Sequence, residues 1–130
     1  MKRILATMFL VLSGGIAALV GTWLMLDPNG FLALSGISGT SDVNRLSEAR
    51  APGGFLLVTA AVILFTALRP GRHHIGYTLS ALLYLGYAMG RMTGLLMDGW
   101  PDTSLIGALG LELVFGLSAL AALMNRRRCA

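Results

Sequence analysis

Apolar residues fall into four long runs, at positions 4–26, 51–68, 75–97 and 105–124, separated by stretches rich in proline, glycine and charge. A bilayer core of roughly 30 Å takes about 20 apolar residues in a helix, so each run has close to the length of a span. The first run is uncharged and follows Lys2-Arg3. It exceeds the 7–15 or so residues of a signal-peptide core and is expected to stay in the protein as a span. Gly14, Gly15 and Gly21 give that run small surfaces for helix contact, and Trp23 stands where an interfacial aromatic is expected. The pattern therefore predicts an all-α polytopic membrane protein, one four-transmembrane-helix bundle over positions 1–130 with a long outer loop at 27–50.

The breaks between runs carry turn signals. Asp27-Pro28-Asn29-Gly30 stops the first helix. The loop after it begins with the apolar residues 31–34, suited to the membrane interface. Asp42 is placed to cap a short helix through Arg45, Leu46 and Glu48. The second span then opens with Pro52-Gly53-Gly54, where a first-turn proline is tolerated and paired glycines permit close backbone approach. A basic turn from Arg69 to His74 and a second turn from Asp98 to Asp102 separate the remaining runs.

Composition strengthens the membrane assignment. The 130 residues are 55% hydrophobic and only 12% charged, outside the range of a soluble domain, and four spans leave no room for a separate catalytic domain. The net charge of +4 gains its meaning from where the charges lie. Lys2, Arg3, Arg69, Arg72, Arg126, Arg127 and Arg128 fall on one side with no acid. Asp27, Asp42, Glu48, Asp98 and Asp102 fall on the other, against Arg45 and Arg50. The positive-inside rule places both termini and the 69–74 turn in the cytoplasm, the location expected in a bacterial cytoplasmic (inner) membrane. The arginines are then topology signals facing membrane lipids, and no nucleic-acid partner is expected. Cys129 is the single cysteine, so no disulfide within the chain is possible.

Two charges remain inside the runs. Arg91 lies six residues before Met97 and Glu112 seven after Leu105, which puts both about 9–10 Å below the same surface of an antiparallel pair. Pairing is the economical outcome for charges at such depth. Glu48 and Arg50 enter from the same side, and Glu48, Arg50, Arg91 and Glu112 are expected to form one neutral polar cluster. Tyr77, Tyr84, Tyr87 and Arg91 recur on one helix face, so Tyr84 and Tyr87 are candidates for a ligand pocket or for filling a polar core. Gly86, Gly90 and Gly94 make a GxxxGxxxG run on a neighbouring face. Together with Gly53 and Gly54 these are expected to pack helices within the chain, with a homo-oligomer or partner membrane protein as the alternative.

Other chemistry is thin. His73 and His74 are adjacent, with no nearby acid or cysteine to complete a metal site. No histidine lies at the depth of Ser80 or Ser118 to activate a nucleophile, and nothing calls for a cofactor. Glu48-x-Arg50-x-x-Gly53-Gly54, then Gly90-Arg91 followed by Asp98-Gly99, then Leu111-Glu112-Leu113 resemble the pattern of a bacterial family of small membrane proteins, domain of unknown function 4345. Pro52 departs from that pattern and puts a bend in question at the start of the second helix. The resemblance implies a four-span bundle with loose kinship to DoxX-like proteins, and no established reaction. The expected role is that of a binding or accessory protein holding a lipid, quinone or other amphipathic ligand at the polar cluster. The alternative is a small proton-coupled transporter using Glu112, and an enzyme is the weakest of the three.

Overall fold

A computed structural model describes residues 2–127, apart from the side chains of Lys2, Pro70, Arg126 and Arg127. Arg128 and Cys129 lie outside the described residues. The helices are α1 (Lys2–Leu26), α2 (Pro28–Ala33), α3 (Val43–Ala67), α4 (His73–Met97) and α5 (Thr103–Arg127), with a 3-10 turn at Pro70–Arg72 between α3 and α4.

Three helices are long and apolar enough to cross a membrane: α1 from Arg3, α3, and α5 to Asn125. The fourth long helix, α4, has the length but not the apolarity, because four glycines, three tyrosines, two histidines and Arg91 dilute its aliphatic residues. The expectation of four spans is thus met in length by four helices and in apolarity by three.

The largest local departure from expectation is α3. A short helix near 42–48 and a separate span from 51 are one continuous helix that runs through Pro52. Its start follows the expected chemistry, with Asp42 Oδ1 accepting from the backbone N–H of Asn44 at 2.8 Å and Arg45 at 3.3 Å. Proline removes the hydrogen bond to the Glu48 carbonyl, but Glu48 is exposed, so water can satisfy that carbonyl and the helix continues. The loop before α3 is tied down. Asn29 donates to Thr40 O and accepts from Thr40 N, at 3.0 and 3.1 Å, and the hydroxyls of Ser35 and Ser104 meet at 3.2 Å. Gly36, at φ 70°, makes the left-handed turn that releases the chain from α2.

The long helices form two antiparallel pairs, α1 with α3 and α4 with α5, joined chiefly through α3 and α4 and also through α1 and α4. Glycine sets the closest approaches. A Cβ at Gly21 of α1 would lie 2.9 Å from Gly53 O of α3, and one at Gly116 of α5 would lie 2.6 Å from the Leu85 side chain of α4. At the end bearing the 69–72 turn, here the basic end, Leu10, Ser13, Ile63, Thr66 and Ser80 are almost fully enclosed. Ser13 and Ser80 hydroxyls share a 2.8 Å hydrogen bond across α1 and α4, and Tyr84 donates to Ser13 O at 2.6 Å. Polar groups buried among apolar helices are thereby satisfied. Phe9 packs on Tyr77 and Phe115, with ring centroids 5.5 and 5.7 Å apart. His73, buried rather than lying free in its basic turn, brings Nε2 to 3.1 Å from Ala67 O at the end of α3.

Candidate functional site

The opposite, acidic end carries Asp27, Asp42, Asp98 and Asp102, and here the packing opens. The approach of α5 to α4 at Gly116 and Leu85 places Glu112, one turn further toward this end, within reach of Arg91. Arg91 Nε donates to both carboxylate oxygens of Glu112, at 2.9 and 3.1 Å. The Glu112 side chain is 11% exposed and that of Arg91 31%, so the pair is sheltered on the carboxylate side and partly open on the guanidinium side. Leaving one partner of a sheltered ion pair uncompensated is costly, and a carboxylate at hydrogen-bond distance offsets that cost.

Beside this pair lies a cavity of about 310 Å³. Ile16, Val20 and Leu24 of α1 and Leu83 of α4 form much of its wall, Ala49, Pro52 and Leu56 supply the α3 side, and Phe31 and Leu32 of α2 also line it. Trp23 meets Phe31 edge to face at 5.9 Å, which helps hold α2 over the opening. Arg91 and Glu112 are the charged groups among the lining residues. Tyr84 and Tyr87 also line it. Tyr84 is fixed by its bond to Ser13 and by stacking on Phe115 at 5.2 Å. Arg91 further borders a cavity of about 270 Å³ with Asp98, Trp100 and Leu105, and an open groove of about 590 Å³ with Phe55, Leu82, Gly86 and Gly90. One guanidinium therefore stands at the junction of three spaces.

Of the four residues expected to cluster, the structure brings together two. Glu48 is exposed at the start of α3, and among the described residues it has no ion-pair partner. Arg50 is also exposed and donates Nε to Met25 O at 3.1 Å. The last carbonyls of a helix lack partners and carry its negative dipole end, so Arg50 is drawn to the end of α1 and away from Glu112. The unbroken α3 is the underlying reason, since it carries residues 43–50 along its own axis and does not fold them back over the bundle.

The glycines also divide. Gly53 packs against Gly21 O and the Met25 backbone, with a Cβ at 3.1–3.2 Å, and Gly54 makes only an ordinary 3.7 Å approach to Met25 Sδ. Gly86 and Gly90 meet nothing within 4 Å, and Gly94 meets only Asp98, at 3.7 Å. Among the described residues, the GxxxGxxxG run therefore does not seat another helix at Gly86 or Gly90. α4 packs instead on the glycine of its partner, Gly116, and at Gly76, where an added Cβ would strike Thr66 Oγ1 and Leu10. The α1 and α2 walls of the cavity were not visible in the sequence as site residues; the one available signal was the apolar stretch 31–34.

Comparison with curated proteins and with solved structures yields no match. The family model described as a domain of unknown function, number 4345, matches residues 5–123, nearly the whole chain, and the protein belongs to that family.

Proposed function

We propose that this is a four-span protein of the bacterial cytoplasmic membrane, with both termini in the cytoplasm, which binds an amphipathic molecule in the cavity beside Arg91. The fourth span is α4. Its polar residues Tyr77, Ser80 and Tyr84 are turned inward while Leu82, Met89 and Leu96 are exposed, so its average composition understates the apolarity of its outward face. The observation that carries the binding reading is the state of Arg91. Only Nε is engaged, and among the described residues neither Nη group has a hydrogen-bond partner, on a side chain bordering a space lined mainly by apolar groups. Sites of a few hundred Å³ with apolar walls and a few convergent polar groups are the usual form of small-ligand pockets. A tail would lie against Ile16, Val20 and Leu24, with the head at Arg91.

Native mass spectrometry of gently solubilised protein tests this. The expected result is a copurified lipid or quinone at fixed stoichiometry, lost in Arg91→Ala while the helical content is kept. Absence of any adduct, together with proton flux in liposomes that depends on Glu112, would replace binding with transport. Labelling of single cysteines placed in the 69–72 and 98–102 turns should show opposite sides.

A further inference from the structure

We infer, resting on the binding reading above, that the headgroup taken at Arg91 is an uncharged hydrogen-bond acceptor, a carbonyl or ester oxygen, and not a carboxylate or phosphate. Charge balance is the first reason. The charged groups lining the cavity are Arg91 and Glu112, already joined at 2.9 and 3.1 Å, and they sum to zero. An anionic head would stand beside the Glu112 carboxylate and leave a net negative charge in a space lined mainly by apolar groups, which is disfavoured without a second cation. Arg45 and Arg50, the arginines at this end of α3, do not line the cavity, and Arg50 is engaged by Met25 O.

Hydrogen-bond balance is the second reason. A guanidinium has five N–H donors, and Arg91 commits only the one on Nε, to Glu112. The Tyr87 hydroxyl, on the same face one turn away, has no hydrogen-bond partner among the described residues. The Tyr84 hydroxyl is spent on Ser13 O, and both Glu112 oxygens already accept. The site therefore holds a surplus of donors and no free cation, which selects a neutral acceptor. Two membrane sources share this chemistry, the ring carbonyl of a quinone and the ester of an uncharged glycerolipid.

The test measures binding of four probes to the full chain in detergent: a short-tailed benzoquinone, dioctanoylglycerol, oleate and dioctanoyl phosphatidate. The wild-type protein should hold at least one neutral probe about tenfold or more tighter than either anion, and the better of the two neutral probes identifies the source. Glu112→Gln removes the balancing charge, and the ratio should shift toward the anions by about tenfold or more. Should that variant fail to fold, Tyr87→Phe must weaken the neutral probe severalfold without strengthening the anions. Preference of the wild-type protein for oleate or phosphatidate, or an unchanged ratio in a folded Glu112→Gln protein, overturns the headgroup assignment and leaves the cavity reading standing. Failure of all four probes to bind overturns both.

Discussion

At the basic end of the bundle, Leu10, Ser13, Ile63, Thr66 and Ser80 are almost sealed from solvent. At the acidic end the same helices part around a cavity of about 310 Å³ and a half-sheltered ion pair. The contrast follows from side-chain size and polarity. Toward the basic end Gly76, with Ser13 and Ser80, lets α1, α3 and α4 converge and satisfy their own polar groups. Toward the acidic end α1 stays against α3 through Gly21 and Gly53, and α5 is held to α4 at mid-helix by Gly116, while Arg91 and the two tyrosines stand between the pairs. One half thus works as a clamp and the other as a container, and a chain built only for stability would have no reason to leave the second half open.

Truncations probe that contrast most strongly. Ile63→Ala should cost about 2–5 kcal/mol, measured by reversible unfolding in mixed micelles, because the hole it leaves is enclosed. Leu24→Ala, at the cavity wall, should cost less than half as much, since it enlarges a space already present. Equal losses would break the distinction between the halves.

Glycines sharpen it next. Gly21→Ala drives a methyl into the Gly53 carbonyl and should destabilise by about 1–3 kcal/mol. Gly90→Ala enters open space and should change stability by no more than about 0.5 kcal/mol, or raise it through helix propensity. A large loss at Gly90, accompanied by a change in oligomeric mass, would mean that a helix of another molecule covers the Gly86–Gly90 face.

The ion pair tests the container itself. Glu112→Gln should destabilise by about 1–3 kcal/mol by leaving Arg91 without its carboxylate. Neutralising Arg91 as well, with Arg91→Gln, should recover part of that loss. A double change no better than the sum of the two singles would deny direct coupling.

The smallest effect is expected outside the spans. Asp102 Oδ1 accepts from the backbone N–H of Ser104 at 2.9 Å at the start of α5. That backbone bond holds its carboxyl below the usual value. A lowered value favours the ionised folded form, so the contribution is complete above the ordinary carboxylate range and fades as pH falls through the lowered one. Asp102→Ala should therefore shift the unfolding midpoint slightly near neutral pH, and the difference from the wild-type chain should shrink as pH falls below the ordinary carboxylate range.

Periodicity and length placed the four long helices and brought Arg91 and Glu112 to one level, because these depend on distance along a chain of known helical rise, and capping and turn residues placed the Asp42 cap and the turns. Rotation about each helix axis was not encoded in the same way. The GxxxGxxxG spacing marked a face of α4 without saying that Gly86 and Gly90 would meet nothing within 4 Å, and nothing set Gly116 apart from Gly107 and Gly110 in the same apolar run. The fate of Arg50 depended on the end of α1 lying within reach, and the continuity of α3 on Glu48 being exposed where Pro52 withdraws a hydrogen bond. The cavity is furthest from the sequence, since its walls come from α1 to α5 and exist only once the helices have settled. The sequence by itself determined which residues lie at the same level. Tertiary packing decided which of them face one another, because side-chain volume and the contest for hydrogen-bond partners set helix rotation, and neither is local.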